Sequence, residues 1–434
     1  MKDSYWFKTT LGDNGEFRNG VNFNREQEGV GLAILKVKDF GNQFFVPTND
    51  LDELNPHLIE IPENQMLKEG DIVIIRSNGN SELVGRSLFF RGANKPVTFS
   101  GFCIRFRPNP EKILPLFAAY FIRSPFCRRR FTAYGSGTGI QNLNHATLSQ
   151  LPLNLPPLSV QQAIISILYN LDEKIALNRQ INKTLEAIAE AVFKSWFVDF
   201  DPVRAKIDGL QPFGMDAETA ALFSNSFEHS TLGEIPKGWD IKPIDQIADF
   251  LNGLALQKYP PVNDEYLAAI KIAELRKGIS GSSDKVSPKI EKKYIVEDAD
   301  VLFSWSGSLE VVIWCGGKGA LNQHLFKVTS TKYPKWFYYH WIKYHLPEFR
   351  AIAAGKATTM GHIQRHHLSS AYTVIPPTNI LDKADEVMSP IFDMIVNNEK
   401  ESQSLANILN ALLPKLLSGE IRVKEAERVV EAHL

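Results

Sequence analysis

Apolar residues recur at alternating steps of three and four in two long stretches of the chain. In the first stretch they occupy positions 164, 168, 171 and 175, and then 185, 188, 192 and 196. The second stretch repeats the pattern with Met388, Ile391, Ile395, Leu405, Ile408, Leu412 and Leu416. Such steps place one apolar stripe along a helix that packs on a partner helix, here over about five heptads. The pattern therefore predicts two long helices.

The stripe is polar at one matching position in each stretch. Asn178 interrupts the first stripe and Asn398 the second. A buried Asn in such a seam lowers stability but fixes the register and orientation of the partner helix. The alternative is that both side chains lie just off the seam, in solvent. The predicted seam consists of Leu168, Leu171, Ile175, Asn178 and Leu185 in the first helix and Ile391, Ile395, Asn398, Leu405 and Ile408 in the second.

Both stretches belong to a longer internal repeat. Residues 135–197 match 355–417 without a gap at an offset of 220, and each matched segment carries a double proline just before its helix. Upstream, "GDIVIIRSNG" (70–79) resembles "ADVLFSWSGS" (299–308) at an offset of 229. A period this long indicates a domain duplication. Two such helices in one chain pack most simply as an antiparallel pair, and we expect Leu171 and Ile175 of the first to lie against Ile391 and Ile395 of the second.

The part of each copy upstream of its helix alternates short β-branched runs with Gly, Asn and Pro turns, and it also contains a buried apolar helix. The predicted fold class is therefore α+β, with two tandem mixed domains separated by two long helices that form an antiparallel coiled coil with pseudo-two-fold symmetry. The predicted boundaries are 1–157 for the first domain, 158–198 for the central helix, 199–234 for a connector, 235–377 for the second domain, 378–417 for the C-terminal helix and 418–434 for a charged tail that we expect to fray.

Composition is that of an ordinary globular protein, with 44% hydrophobic and 22% charged residues. No apolar run approaches the roughly 18–20 residues of a bilayer span, and three widely spaced cysteines form no disulfide framework or zinc site, so we expect a cytoplasmic protein. The net charge is −1, yet residues 113–171 contain four Arg and no acid, and residues 327–367 contain seven Lys or Arg and one acid. Two basic regions indicate a polyanionic partner, and solvated helix faces are the alternative.

Several segments carry a family resemblance over nearly the whole chain. They are "LPPLSVQQAIISILYNLDEKIALNRQIN" (155–182), "AVFKSWFVDFDPVRAK" (191–206), "LGEIPKGWDIKPI" (232–244), "LNQHLFKV" (321–328) and "LLPKLLSGEI" (412–421). In this layout they resemble the specificity (S) subunit of type I restriction-modification systems. The second copy departs from the family where "PPTNILDKADEV" replaces an acidic or glutamine-rich opening of the helix.

The resemblance implies a non-catalytic subunit in which two target-recognition domains each bind one half of a bipartite site in double-stranded DNA. It also implies two modification subunits that methylate adenine with S-adenosylmethionine, and restriction subunits that use ATP and Mg²⁺, so that this chain itself holds no cofactor. In this interpretation the helices set the gap between the two half-sites and dock the modification subunits. A helix of about 35 residues spans about 50 Å, or about 15 base pairs, which is an upper bound on that gap.

Direct recognition of bases uses Arg, Asn and Gln on polar loops, and the alternative for each such residue is an ordinary turn or cap role. The predicted DNA contacts of the first domain are Arg76, Asn78, Arg86, Thr138, Gln141, Asn142 and Asn144, with Arg128, Arg129 and Arg130 for phosphates. Those of the second domain are Ser306, Ser308, Asn322, Gln323, His324, Lys356, Thr358, His362, Gln364 and Arg365.

We predict no catalytic residues and no metal ligands. His362 and His366 are four residues apart, but "HIQRH" lacks the glutamate of a zinc-protease helix, and "CGGKGALNQ" (315–323) lacks the spacing of a phosphate-binding loop. Two other functional classes stay open at this point. A fused methyltransferase or nuclease would modify or cut DNA without a partner, and a protein-binding scaffold would show no steep salt dependence of DNA affinity.

Overall fold

The computed structural model describes residues 6–41, 43–80, 83–134, 142–262, 264–355 and 361–432. The chain divides into two compact units: unit 1 is Met1–Ala176 with Ser404–Leu434, and unit 2 is Leu177–Gln403. The helices are α1 (Pro115–Arg123), α2 (Pro125–Tyr134), α3 (His145–Ser149), α4 (Leu158–Phe197), α5 (Asp201–Ile207), α6 (Ala217–Leu222), α7 (Ile272–Lys277), α8 (Lys335–Ala354), α9 (Arg365–Ser370), α10 (Thr378–Ser418) and α11 (Val423–Glu431). The long helices α4 and α10 each contribute one part to each unit.

The strands are short and fall into two similar series. In unit 1 they are β1 (Phe7–Thr10), β2 (Gly15–Asn19), β3 (Glu28–Leu35), β4 (Asp52–Leu54), β5 (Ile72–Ile75), β6 (Ser87–Phe89), β7 (Val97–Phe99), β8 (Cys103–Pro108) and β9 (Pro152–Leu155). In unit 2 they are β10 (Phe227–Ser230), β11 (Gly233–Pro236), β12 (Asp240–Pro243), β13 (Asp249–Asn252), β14 (Leu267–Ile270), β15 (Lys285–Val286), β16 (Ile295–Val296), β17 (Val301–Ser304), β18 (Val311–Ile313), β19 (Gly319–Leu321), β20 (Leu325–Thr329) and β21 (Tyr372–Ile375).

Sheet topology repeats between the units. Unit 1 has an antiparallel sheet in the order β2-β8-β5-β6, a mixed sheet β4-β3-β7 and the pair β1-β9. Unit 2 has β13-β20-β17-β18, a mixed sheet β15-β14-β19-β16 and the pair β12-β21. The predicted α+β class with two mixed domains is therefore confirmed. The connector adds α5, α6 and the hairpin β10-β11 to unit 2.

Each antiparallel sheet is covered on both faces. Its central strand is rich in apolar residues, and alternate side chains of that strand enter two different buried clusters. In β5, Ile72 and Ile74 belong to the cluster that includes α1 and the long helices, whereas Val73 and Ile75 belong to the cluster shared with the mixed sheet. Strand β17 divides its side chains in the same way: Val301 and Phe303 face one cluster of unit 2, and Leu302 belongs to another. The predicted buried helices correspond to α1 and to the longer α8.

The long helices pack on each other antiparallel in each unit. In unit 1, Leu168, Leu171 and Ile175 share a buried cluster with Leu405, Ile408, Leu409 and Leu412. The expectation that Leu171 and Ile175 lie against Ile391 and Ile395 is wrong, because antiparallel order brings residues near 405 opposite residue 171. Ile391 and Ile395 line a small pocket of unit 2 with Ala189 instead.

The two seam asparagines lie between the helices in unit 2. Asn178 is 1% exposed, and its Nδ2 donates to the Glu401 Oε2 at 2.7 Å and to the Asn398 carbonyl at 3.3 Å. Asn398 in turn donates to the Oδ1 of Asn182 at 2.9 Å, and Asn182 donates to the Ile395 carbonyl at 3.1 Å. Burial is confirmed for Asn178, whereas Asn398 is half-buried, and both side chains bond within the helix pair. Asn182 is a third member of the polar layer that the apolar pattern did not indicate.

The seam of α4 departs from the predicted positions after Asn182. Leu185 is only half-buried and Ile188 is 45% exposed, whereas Ala189, Phe193 and Phe197 are buried. The physical reason is that the last turns of α4 pack on the aromatic helix α8, which the stripe alone does not reveal. The ring of Phe193 lies 5.1 Å from that of His340, and the ring of Phe197 lies 5.8 Å from that of Trp336.

The expectation that the tail frays is wrong for the residues that the structure describes. Residues Val423–Glu431 form α11, and Ala426 is fully buried in the cluster of unit 1. The helix is amphipathic, with Val423 and Val430 also packed against that cluster, so its charged residues occupy the opposite face. In the described part of the chain, no helix combines the length and apolarity needed to cross a membrane.

Candidate nucleic-acid interface

Four chain segments of unit 1 meet at one edge of its antiparallel sheet. The Arg76 amide donates to the Phe102 carbonyl at 2.9 Å, and the Leu143 amide donates to the Arg76 carbonyl at 2.8 Å. An isolated bridge joins Ser77 to Asn142, just before α3. The fourth segment is the end of β2 at Asn19, whose side chain bonds to Arg76. We call this meeting point the frame of unit 1.

Unit 2 contains the same frame at equivalent positions. The Trp305 amide donates to the His324 carbonyl at 3.3 Å, and the Ile363 amide donates to the Trp305 carbonyl at 3.0 Å. A bridge joins Ser306 to His362, and β13 ends at Asn252 beside them. The frame is thus a duplicated backbone arrangement.

A glycine follows the asparagine in each frame, and neither position has space for a side chain. A Cβ on Gly20 would lie 2.2 Å from the Ser100 carbonyl oxygen, and one on Gly253 would lie 2.2 Å from the Asn322 carbonyl oxygen. Both contacts are with backbone, which cannot rotate away. The Asn-Gly pair therefore holds the end of its strand close to the neighbouring turn in each unit.

In unit 1 a guanidinium holds two amides. Arg76 donates through Nε to the Asn142 Oδ1 and through Nη1 to the Asn19 Oδ1, both at 3.1 Å. The His145 Nε2 lies 3.1 Å from the same Asn19 oxygen. Partial burial, followed by the charges of Arg76 and Arg18, lowers the pKa of His145, which favours the neutral ring. Beside this network the Phe102 side chain is 62% exposed.

In unit 2 an indole takes the place of the guanidinium. The Trp305 Nε1 donates to the Asn252 Oδ1 at 3.0 Å and to the Gln323 carbonyl at 3.1 Å. The ring of Trp305 lies 5.9 Å from that of His324 and 6.2 Å from that of His362. The Ser306 hydroxyl bonds to the His324 Nδ1 at 2.9 Å. This frame is aromatic where that of unit 1 is amide-rich.

The predicted contact residues of the first domain divide into two groups. Arg76 and Asn142 lie together in the frame, as described above. Asn78 and Asn144 hold local turns: the Asn78 Oδ1 accepts from the Asn80 amide at 2.8 Å, and the Asn144 Oδ1 caps α3 by accepting from the Thr147 amide at 2.8 Å. A DNA contact by either residue stays a prediction.

The predicted phosphate contacts lie on α2. The Arg128 Nη1 donates to the Val84 carbonyl at 2.7 Å, which ties the helix to the turn that carries the half-buried Arg86. Arg129 is exposed, and Arg130 stacks over the Phe126 ring at 5.0 Å. Of the three, Arg129 has the side chain most open to solvent.

In the second domain, the structure places Ser306, Gln323, His324 and His362 in the frame. Asn322 is 6% exposed, and its Oδ1 accepts from the His324 amide at 3.2 Å, so it supports the turn from inside. The remaining described residues lie at the rim: Ser308 lines an open cleft of about 500 Å³, Gln364 precedes α9, and the Arg365 Nη2 donates to the Phe250 carbonyl at 3.2 Å. The predictions Thr138, Gln141, Lys356 and Thr358 lie outside the described residues.

Internal ion pairs neutralise part of both basic regions. Arg123 pairs with the buried Asp172 of α4 at 3.2 Å, just beyond the acid-free stretch. In unit 2, Lys327 pairs with Asp300 at 2.7 Å, and Lys343 pairs with Glu190 of α4 at 2.9 Å. These cations form ion pairs within the fold. Fewer Lys and Arg side chains are therefore open to a polyanion than the number in the sequence suggests.

Sequence reasoning missed Asn19, Phe102 and His145 in the first frame and Asn252 and Trp305 in the second. The repeat itself could have identified three of them, namely Trp305, Asn19 and Asn252. Trp305 aligns with Arg76 at the offset of 229 already noted. "RNGV" (18–21) and "LNGL" (251–254) are also alike, at an offset of 233.

Among the described residues, no group of three or more His, Cys, Asp or Glu is placed to hold a metal ion. The cysteines are buried, and burial raises the pKa of the Cys127 thiol to about 12 and that of Cys315 to about 11, so both stay protonated near neutral pH.

A family model described as the type I restriction modification DNA specificity domain matches residues 6–187 and 236–410. The specificity subunit of the type I restriction enzyme MjaIX from Methanocaldococcus jannaschii is 28% identical over 67% of this chain, which spans 65% of that protein, slightly under two thirds of its length. The HindI specificity subunit from Haemophilus influenzae is 27% identical over 82% of this chain and 87% of its own.

Among solved structures, the S subunit of a type I restriction-modification system from M. genitalium has a TM-score of 0.54 with this chain. Sequence identity is 14%, and the superposition covers 96% of this chain and 97% of that one. At this identity the likeness shows a shared fold.

Proposed function

Because this chain belongs to the family of type I restriction-modification DNA specificity domains, we propose that each unit recognises one half of a bipartite, asymmetric site in double-stranded DNA. The observation that carries the proposal is the duplicated frame. Its backbone hydrogen bonds are the same in both units, while Arg76, Phe102 and Asn142 in one correspond to Trp305, His324 and His362 in the other. A constant backbone with different polar edges suits two recognition surfaces with different sequence preferences.

The chain is the non-catalytic recognition subunit of such a system. We propose that two modification subunits supply methyl transfer with S-adenosylmethionine, and that restriction subunits supply the chemistry that requires ATP and Mg²⁺. Neither the cofactors nor the reactions involve residues of this chain in the proposal.

The helix pair α4–α10 is proposed to set the gap between the half-sites and to dock the modification subunits. The polar layer of Asn178, Asn182 and Asn398 supports a fixed register, because sliding either helix would break the hydrogen bonds that these amides make within the helix pair. Apolar residues exposed on the same helices in unit 2 support docking: Leu177 is 53%, Ile188 45%, Val387 43% and Met394 49% exposed.

Selection from a random duplex library tests the function. The chain, alone and with its modification subunits, is incubated with the library, and bound duplexes are sequenced. We expect a motif of two unlike halves separated by a fixed gap, and methyl transfer only when modification subunits are present. A single contiguous motif would contradict two-part recognition, and methyl transfer by the chain alone would establish an enzyme.

Two variants test the role of the helices. Inserting one heptad into each long helix at opposed positions adds about 10 Å, so the gap should lengthen by about 3 base pairs while both halves stay unchanged. The control is the same insertion in α4 only, which shifts one stripe against the other and should destabilise the pair. An unchanged gap in the double insertion would remove the spacer role.

Docking is tested by Leu177→Glu together with Ile188→Glu, because two exposed charges should weaken an apolar interface without entering the seam. We expect loss of co-purification with the modification subunit and retention of DNA selection. Unchanged co-purification would place the docking surface elsewhere.

A further inference from the structure

We propose that Asn19 and Asn252 are equivalent DNA-contacting residues of the two units, each presenting the two Nδ2–H donors of its amide to an acceptor atom of the duplex. The inference rests on the proposed function and deepens it, since it assigns a contact that both recognition surfaces share.

The position of the two residues is the first support. Each is the last residue of its strand, β2 or β13, and each has an exposed side chain. The glycine that follows cannot be replaced without a backbone clash, so the asparagine Cα is held at a fixed place in the frame. The Asn-Gly pair is the same in both units, although most neighbouring frame residues differ.

The orientation of each amide follows from the chemistry of its partner. A guanidinium and an indole N–H donate and never accept. The atom of Asn19 that faces the Arg76 Nη1 at 3.1 Å, and the atom of Asn252 that faces the Trp305 Nε1 at 3.0 Å, must therefore be the carbonyl oxygen. The amide nitrogen of each residue then has to point away from the holding side chain.

The oxygen of Asn19 is engaged twice. Besides Arg76, the His145 Nε2 lies 3.1 Å from the same atom, and an oxygen that already accepts can only accept again, so this ring nitrogen carries the proton. Both lone pairs of the Asn19 Oδ1 are then occupied within the protein. Within the described residues, neither the Asn19 nor the Asn252 Nδ2 donates a hydrogen bond to the protein.

This polarity restricts what Asn19 can recognise. A bidentate contact with adenine needs the amide oxygen to accept from N6 while the nitrogen donates to N7. With both lone pairs of its oxygen occupied, the Asn19 amide can only donate, and its partner is an acceptor such as a phosphate oxygen, guanine O6 or N7, or thymine O4. Among the described residues, the Asn252 oxygen accepts from Trp305 alone, so this amide offers its two donors and keeps one lone pair. Arg76 and Trp305 are then positioning residues that hold the amides by different means.

The test compares Asn19→Asp and Asn252→Asp with the wild-type chain in the same library selection and in titrations with the selected duplex. Aspartate keeps the oxygen that Arg76 or Trp305 needs, removes both donors and adds a negative charge. Asn225→Asp is the matched control, because Asn225 is exposed outside the frame and tests the general effect of one more negative charge on the chain. Asn19→Ser and Asn252→Ser remove the amide without adding a charge and should also weaken binding. Thermal unfolding establishes that each variant is folded, and Asn→Ser variants replace any that is not.

We expect each frame variant to weaken binding by about tenfold and the control to bind as the wild type does. A base-edge contact would change the preference at one position of one half-site, in a different half for each variant. A phosphate contact would weaken binding to all sequences alike and leave the motif unchanged.

Suppose that the wild-type chain selects a motif of two halves, and that both frame variants bind it with unchanged affinity and base preference. This result would overturn the inference about Asn19 and Asn252 and leave the proposed function intact. If the wild-type chain selects no motif, the proposed function fails first and the inference falls with it.

Discussion

The two units solve the same structural problem with different side chains. Unit 1 holds its strand-end asparagine with Arg76 and His145, and unit 2 holds the equivalent asparagine with Trp305. The glycine contacts and the backbone hydrogen bonds of the frame are common to both. The comparison indicates that the two copies share the backbone arrangement of the frame, while the side chains around it differ between the copies.

The antiparallel sheets of the two units also keep one feature in common while the side chains around it differ. In each antiparallel sheet an Asp directly precedes a central strand, β5 or β17, and its carboxylate accepts from the amide three residues earlier, at 2.7 Å for Asp71 and 2.8 Å for Asp300. Asp71 is fully buried and binds Arg107 at 2.7 Å through two nitrogens, with the buried Arg105 at 3.6 Å. Asp300 is partly exposed and pairs with Lys327.

The largest effect should come from removing these aspartates. Asp71→Ala leaves two cations without their partner, one of them buried, and we expect a loss of about 3–5 kcal/mol in the free energy of unfolding of unit 1. Asp300→Ala should cost about 1 kcal/mol in unit 2, because water can reach Lys327. Hydrogen exchange resolved to peptides of each unit measures both losses, and equal losses would contradict the difference in burial.

The helix pair offers a comparison between its apolar and polar parts. Leu171→Ala should lower the free energy of unfolding by about 2–5 kcal/mol, because Leu171 is 2% exposed in the cluster of unit 1. Asn178→Ala should lower it by about 1–2 kcal/mol, since the Asn178 Oδ1 already lacks a hydrogen-bond partner among the described residues. Denaturant titrations give both values. A larger loss for Asn178→Ala would mean that the polar layer, rather than the apolar seam, dominates the stability of the pair.

Acid should weaken unit 2 more than unit 1. Burial lowers the pKa of His340 to about 4, an effect that the carbonyl of Trp336 and Glu190 oppose and Lys343 reinforces. The unfolded chain binds this proton near pH 6.5, so the stabilisation is complete above that pH and is lost as the pH falls toward 4, by about 3 kcal/mol at most. His340→Phe should flatten the pH profile of unfolding of unit 2, and unfolding followed between pH 4 and 7 measures this change. An unchanged profile would contradict the role of His340.

The smallest predicted effect concerns a turn. The residue before each sheet aspartate has a positive φ, +89° at Gly70 and +68° at Ala299. Gly70→Ala should destabilise unit 1 by about 1 kcal/mol, because an L-residue there is strained and its Cβ would press on Pro115 at 3.3 Å. Ala299→Gly relieves the same strain but adds freedom to the unfolded chain, so the melting temperature of unit 2 should change little. A clear destabilisation by Ala299→Gly would show that the alanine methyl contributes packing.

The sequence was sufficient for the long helices, their asparagines and the duplication, because periodicity and repeated spacing are properties of the chain alone. It could not predict that Phe193 and Phe197 turn toward α8, since the packing of a third helix leaves no periodic mark. The sequence predicted only some of the frame residues, for a related reason. Asn19 and Asn252 look like ordinary turn residues until the partner that holds each amide oxygen is known.

The division of the chain has a consequence for its synthesis. Unit 2 is one continuous segment, Leu177–Gln403, set inside a unit 1 whose two pieces flank it. A ribosome therefore delivers every residue of unit 2 before unit 1 receives Leu405, Leu409 and Leu412. The sheets of unit 1 are synthesised first, but their packing is complete only when the last turns of α10 have been made. A nascent chain stalled before Ser404 would therefore carry an exposed apolar face on the N-terminal half of α4.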